Sequence, residues 1–137
     1  MSFRGKWLIV YFYPKDNTQG CTVEAIDFSE SQVEIEKLNA TIIGISPDSI
    51  KSHLKFVNIH NLSIILLSDT TRKVLEEYGV WQLKKMYGRE YFGVERSTVI
   101  INPSGKVTAI FRRVKVKGHV DEVKAKLKEL HDQTSQG

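Results

Sequence analysis

The sequence predicts an α/β fold, with a central mixed sheet, mostly parallel, flanked by helices. Three observations predict it. Apolar, β-prone runs alternate with helix-forming stretches along most of the chain. The early runs Trp7-Leu8-Ile9-Val10-Tyr11-Phe12-Tyr13 and Thr41-Ile42-Ile43-Gly44-Ile45 show no polar alternation, as strands buried on both faces require. Later, two strand-like runs are joined by the turn signal Asn102-Pro103-Ser104-Gly105, which adds an antiparallel pair.

Pro14 ends the first run. Residues 21–38 are rich in helix formers. Their apolar residues fall on two stripes, Ile26 with Val33 and Phe28 with Ile35 and Leu38, which predicts a helix covered from two sides. Ser46-Pro47-Asp48 reads as a helix start: a hydroxyl cap, proline at the first helical position and an acid in the first turn. Ile50, Leu54 and Val57 follow at helical spacing as its buried face. Residues 64–67 make a short third strand. Asp69 caps a short helix ending near Tyr78, with Gly79 as its stop. Residues 80–93 are the least regular stretch and read as a long ordered loop. Residues 97–101 and 106–116 form the hairpin. Val120, Val123, Leu127 and Leu130 mark a closing amphipathic helix, with Asp121 and Glu122 near its start. Residues 132–137 are a polar tail expected to fray. This order of elements is the layout of a thioredoxin-like fold with an inserted strand–helix unit, on one domain spanning residues 1–137.

Composition narrows the function classes. With 41% hydrophobic and 26% charged residues, the chain has an ordinary globular make-up. At 137 residues it is long enough to bury a core without disulfides or a structural metal. No apolar run approaches the roughly 18 residues that span a membrane, and residues 8–13 are too short and too β-like for a signal-peptide core. The single cysteine staples nothing internally, which points to the cytoplasm. The net charge of +4 goes with Arg112, Arg113, Lys115 and Lys117, then Lys124, Lys126 and Lys128. No aromatic residues interleave with them as a single-strand platform requires, so they read as solvated faces, and neither nucleic acid nor membrane is expected as a partner. His53, His60, His119 and His131 are scattered and form no ligand motif, so no metal is expected.

Cys21 closes the string Pro14-Lys15-Asp16-Asn17-Thr18-Gln19-Gly20-Cys21, between the first strand and the first helix. A thiol in the first turn of a helix sits among unpaired N–H groups at the positive end of the dipole. That placement favours thiolate, the nucleophilic form. Thr18, three residues earlier, puts a hydroxyl on the turn above the sulfur, where it can accept from one group and donate to another. Pro14 has no N–H and can wall the sulfur from water without adding a donor. A thiolate in a partly closed pocket needs a positive partner. Arg96, which opens a strand, keeps its charge and offers a fixed fork of donors to the sulfur and to a leaving oxygen. Glu24, one turn into the helix, is placed to orient that guanidinium. Taken singly, each residue also has a plainer reading: Cys21 as a small buried hydrophobe, Thr18 as a capping hydroxyl, Arg96 as a surface ion-pair partner, Glu24 as helix surface.

Pro14, Thr18 and Cys21 match the P-x-x-x-T-x-x-C signature of peroxiredoxins. The longer string Tyr11-Phe12-Tyr13-Pro14-Lys15-Asp16-Asn17-Thr18-Gln19-Gly20-Cys21-Thr22 resembles the bacterioferritin-comigratory, or Q-type, subfamily. The later blocks Tyr78-Gly79-Val80-Trp81, Lys84-Lys85-Met86-Tyr87-Gly88 and Gly93-Val94-Glu95-Arg96-Ser97-Thr98 are similar to that subfamily too. The resemblance runs from about Phe3 to Leu130. It implies an antioxidant, thiol-dependent peroxidase acting on hydrogen peroxide and organic hydroperoxides. In that reading the Cys21 thiolate attacks one peroxide oxygen in line with the O–O bond, water or alcohol leaves, and Cys21 becomes a sulfenic acid. Thr18, Arg96 and the Cys21 N–H hold the peroxide oxygens, and Tyr13, Pro14 and Glu24 belong to the substrate pocket. The resemblance calls for no metal or organic cofactor.

The sequence departs from that pattern in two places. Many Q-type members carry a resolving cysteine five residues after the reactive one; here that position is Ile26, and no later cysteine replaces it. An internal disulfide cannot form. The implied reductant is an external thiol, a small thiol or a thioredoxin-like protein, ahead of a Cys21–Cys21 dimer, and the sulfenic acid is more open to over-oxidation. Members also usually carry an N-terminal segment before the Phe3-Arg4-Gly5-Lys6-Trp7 stretch. A start so near the first strand is expected to expose a sheet edge or the pocket's flank and to favour pairing with a second copy, leaving monomer and homodimer both open. Two other functions fit the same scaffold. A disulfide reductase normally needs Cys-x-x-Cys, and Thr18 stands where the first cysteine would be. A redox sensor or binding module would use the Cys21 sulfenic acid as a signal without turnover.

Overall fold

The computed structural model describes residues 5–136, so Phe3 and Arg4 of the opening stretch lie outside the described residues. The elements run β1 (Trp7–Phe12), α1 (Gln19–Glu30), α2 (Gln32–Glu36), β2 (Ala40–Ser46), α3 (Ile50–His60), β3 (Ile65–Ser68), α4 (Lys73–Glu77), β4 (Trp81–Met86), β5 (Arg89–Val94), β6 (Ser97–Ile101), β7 (Val107–Phe111) and α5 (His119–Gln136). Five strands make one sheet in the order β3-β2-β1-β6-β7. β1, β2 and β3 are parallel because helices carry the chain back between them; β6 and β7 add the antiparallel edge. The mixed α/β architecture is the thioredoxin-like one that the element order implies.

Alternation along β1 divides the interior in two. Trp7, Ile9 and Tyr11 face one side with Phe28 of α1, Phe56 of α3, and Val123 and Leu127 of α5. Val10 and Phe12 face the other with Ile43, Leu75 of α4, Val80 and Val99. Each such large apolar side chain contributes roughly 1.5–3 kcal/mol on burial. β1 is therefore the sheet's centre, and the edges are β3 and β7, which leave Leu67 and Ile110 about half exposed.

Several sequence expectations are corrected. The helix of residues 21–38 is two helices, broken at Ser31, whose N–H reaches both the Asp27 and Phe28 carbonyls at 3.2 Å. The break turns Ile35 inward and leaves Val33 exposed, which accounts for the two stripes. Ser46 ends β2 and caps no helix; the cap of α3 is Ser49, whose hydroxyl accepts from the Ser52 N–H. The later start fixes which face of α3 is buried. His53 and Phe56 point inward, while Ile50 and Leu54 are 70% and 60% exposed. Residues 80–93 form no loop but the β4–β5 hairpin, closed by Tyr87 (φ 51°) and Gly88 (φ 76°), both in the left-handed region that a two-residue turn needs. β7 stops at Phe111, well short of Val116; Val114 then returns to bond the Arg96 carbonyl. α5 runs on to Gln136, through residues expected to fray. Asp69 does serve α4, accepting from the Leu75 N–H at 2.8 Å. Two of the late lysines are paired: Lys124 meets Glu34 at 3.0 Å and Lys126 meets Glu129 at 3.4 Å. No described helix is long and apolar enough to cross a membrane.

Candidate active site

The site lies at the C-terminal end of β1, where parallel α/β sheets place their functional loops. Residues 13–18 leave the strand and deliver the chain to α1, whose N-cap is Thr18. The first helical hydrogen bond runs from the Thr22 N–H to the Thr18 carbonyl at 2.8 Å. The amides of Gln19, Gly20 and Cys21 lie ahead of it, in the turn that carries the positive end of the dipole. Cys21 occupies the third position of this turn and is only 1% exposed.

Two segments far apart in sequence meet at the sulfur. Arg96, just before β6, donates from Nη2 to Cys21 Sγ at 3.2 Å and from Nη1 to Glu24 Oε1 at 2.6 Å. Glu24 is fully buried and sits one turn beyond Cys21, so it grips the guanidinium from behind while the other arm reaches the sulfur. Burial pushes the Glu24 carboxyl up to about 7, against the pull of Arg96. For Arg96, burial works against the charge, but Glu24 and Cys21 more than offset it, and the guanidinium is held above the ordinary arginine range. Gly20 leaves the room this requires: a Cβ there would stand 3.2 Å from Arg96 Nη2.

Thr18 is exposed, and its hydroxyl donates to the Lys15 carbonyl at 2.8 Å. That bond occupies its hydrogen and leaves its lone pairs as acceptors. Pro14 is half-buried beside Tyr13. Tyr13 is fully buried, and its hydroxyl donates to Asp16 Oδ1 at 2.6 Å, so it braces the loop from inside. Glu24, equally buried, holds Arg96 through its 2.6 Å bond to Nη1. A cleft of about 530 Å³ opens over Gln19, Gly20, Val23 and Asp27 of α1 and Val116, Lys117 and Gly118 of the following segment.

Some residues at or beside the site carry no sequence signal of their own. Val116 enters because the chain turns back after β7. Lys84 of β4 lies close enough to feel Arg96; burial and that charge hold its pKa below the ordinary lysine value. His53 and Asp16 form a buried pair at 2.7 Å behind the loop. Asp16, Asp48 and His53 bring three possible ligand atoms within 4.8 Å. Donors from the protein already occupy them: the Asp48 carboxylate accepts from the Asp16 N–H at 2.8 Å and the Ser46 hydroxyl at 2.7 Å. The cluster is a hydrogen-bond network.

A single cysteine in the first turn of α1, under an arginine clamp on a thioredoxin-like sheet, defines a thiol-dependent oxidoreductase. Residues 1–110 match the AhpC/TSA family, and the chain belongs to that family. It is 48% identical over 130 residues to peroxiredoxin Bcp of Bacillus subtilis, covering 95% of this chain and 83% of that one. It is 44% identical over 124 residues to peroxiredoxin Bcp of Xanthomonas campestris, covering 90% and 78%. Among solved structures, the X. campestris bacterioferritin comigratory protein, described for its alkyl peroxide reduction activity, superposes with a TM-score of 0.90 at 42% identity, covering 94% of this chain and 82% of that one. BcpB of Mycobacterium tuberculosis superposes at 0.78 with 29% identity, covering 90% and 79%. The chain is a peroxiredoxin of the Bcp, or Q-type, kind: a thiol-dependent peroxidase with one cysteine.

Proposed function

We propose that Cys21 is the peroxidatic nucleophile, with Thr18 and Arg96 as the residues that hold the peroxide. The observation that carries this is the pair of bonds from one guanidinium, 3.2 Å to Sγ and 2.6 Å to Glu24. A donor fixed on the sulfur stabilises its negative charge, and the same fork lies beside the place where the leaving oxygen gains charge. Sγ attacks the nearer peroxide oxygen, so the S–O bond forms as the O–O bond breaks. The departing alkoxide or hydroxide takes up a proton, leaving Cys21 as a sulfenic acid. The Thr18 hydroxyl, its hydrogen engaged by Lys15, accepts from the peroxide O–H.

Hydrogen peroxide and organic hydroperoxides are both substrates in this proposal. Val23 and Val116 give the cleft an apolar side for an alkyl group, and a relative of known structure is described for alkyl peroxide reduction. With no second cysteine, an external thiol condenses with the sulfenic acid, releasing water and forming a mixed disulfide; a further thiol frees Cys21. A small thiol or a thioredoxin-like protein serves, in a reducing compartment such as the cytoplasm. Every group of the site comes from one chain, so a monomer suffices for the chemistry.

The test follows peroxide consumption under excess dithiothreitol, with Cys21→Ser beside the unaltered chain. Sustained turnover that vanishes in the variant is expected. One stoichiometric oxidation without turnover would instead make the chain a peroxide sensor.

A further inference from the structure

The loop that carries Thr18 is held from behind by α3, through two histidines seven residues apart on one face. His53 Nδ1 meets Asp16 Oδ2 at 2.7 Å, and His60 Nε2 meets Asn17 Oδ1 at 3.1 Å. His53 Nε2 also lies 3.0 Å from the Leu67 carbonyl. A carbonyl can only accept, so Nε2 carries a hydrogen; a carboxylate accepts too, so Nδ1 carries the other. His53 is then an imidazolium spanning the loop and β3. Asp16 also accepts from the Tyr13 hydroxyl on Oδ1 at 2.6 Å and from the Ser52 hydroxyl on Oδ2 at 2.7 Å. The next residue, Asn17, sits at φ 61°, in the left-handed region that asparagine tolerates better than most residues.

We propose that His53 is a positioning residue for peroxide reduction: its bonds to Asp16 and Leu67 lock the 14–18 loop against α3 and so set where the Thr18 hydroxyl meets the peroxide. This rests on the role given to Thr18 above. It adds a pH window to the reaction. Burial opposes the charged imidazole, but Asp16 outweighs it and lifts His53 above the ordinary histidine value. Burial likewise opposes the Asp16 carboxylate, but hydrogen bonds from His53, Tyr13 and Ser52 bring it below the ordinary range. The charged groups facing His53, among the described residues, are Asp16 from the loop and Asp48 from the turn before α3; Tyr13 contributes a protonated phenol and β3 only the Leu67 carbonyl. The lock is closed above the lowered pKa of Asp16 and below the raised pKa of His53. It loses one of its two donors as pH rises through the latter.

Two rates separate this role from a merely structural one. Oxidation of Cys21 by hydrogen peroxide needs Thr18 in place; alkylation by iodoacetamide reads sulfur reactivity without it. In His53→Gln, oxidation is expected to fall about tenfold and alkylation to change less than twofold. A loosened fold would instead speed alkylation, because Sγ is buried, and that result overturns the proposal, as does an unchanged oxidation rate. Thr18→Val distinguishes the two levels. A T18V chain oxidised as fast as the unaltered one sinks the Thr18 role; a slow T18V beside a normal H53Q sinks only the role of His53. If H53Q does not fold, the unaltered chain still decides. The ratio of oxidation to alkylation is expected to fall as the His53 ring loses its proton, followed by histidine NMR, and a ratio that stays flat through that titration overturns the proposal.

Discussion

Arg96 donates to the sulfur at 3.2 Å, and its effect on rate is the first to measure. Removing one preorganised donor from a developing oxyanion slows chemistry by about 10²–10³. Arg96→Met, which keeps the side-chain length and loses the fork, is therefore expected to slow Cys21 oxidation by that order in single-turnover mixing, with an unchanged circular dichroism spectrum. Glu24 works one step back, and its protonation sets the sign of a second prediction. Its carboxyl is pushed up to about 7 by burial. Above that value it is a carboxylate clamping Arg96; below it, a neutral acid. Glu24→Gln imitates the neutral form, so the variant should match the unaltered chain below about pH 6 and lag it by about tenfold above about pH 8. Equal lag at both ends would remove Glu24 from the clamp. At this scale much was legible in the sequence: Cys21, Thr18 and Pro14 are set by local spacing. Arg96 lies 75 residues away; its place at the start of a strand suggests it as the positive partner, and the family-like block around it adds to that reading. Asp16 and His53, 37 residues apart and each unremarkable alone, left no local pattern to read.

Strands and helices were legible wherever burial imposes a period. β1 is apolar throughout, β2 and β6 carry the apolar runs 42–45 and 99–101, and α5 keeps its buried face at Val120, Val123 and Leu127. The β4–β5 hairpin escaped because its residues are mostly exposed and its turn is Tyr87-Gly88, without the asparagine or aspartate that marks such turns. The same feature gives a prediction. Tyr87 is 96% exposed and held at φ 51°, so it carries strain and little packing. Tyr87→Asn should raise stability by about 0.5–1 kcal/mol, or about 2 °C in Tm. α3 was misread for a different reason: tertiary contacts chose His53 and Phe56 over the more apolar Ile50 and Leu54. α5 begins with a buried histidine, His119, whose Nε2 meets the Thr98 hydroxyl of β6 at 2.7 Å. Burial, helped by Arg96, holds it down at about 4. The unfolded chain therefore binds a proton there that the folded one does not, and stability falls as pH drops from the ordinary 6.5 toward 4. His119→Gln should flatten that fall by about 2 kcal/mol in urea unfolding at the two ends of the range.

The whole molecule couples a five-stranded sheet to a short helix that hides its only thiol. Phe28 of α1 stacks on Tyr11 at 4.7 Å and Tyr11 on Tyr13 at 5.4 Å, so α1 is tied to the sheet directly beneath Cys21. This bears on what the missing second cysteine means. Residues five apart in an α-helix have Cα atoms about 8.7 Å apart, whereas a disulfide needs them within about 7 Å. Ile26 stands five residues after Cys21 in the same helix, half-buried against the core. A cysteine placed there cannot bond to Cys21 while α1 stays wound. In Ile26→Cys, one equivalent of hydrogen peroxide is therefore expected to yield an internal disulfide by mass spectrometry together with faster hydrogen exchange over residues 19–26. The unaltered chain, oxidised in the same way, should keep its slow exchange, because nothing within it pulls the helix apart. A disulfide formed with α1 still protected would contradict the helical geometry, and failure to form one at all would show that α1 holds the sulfur too firmly for any internal partner.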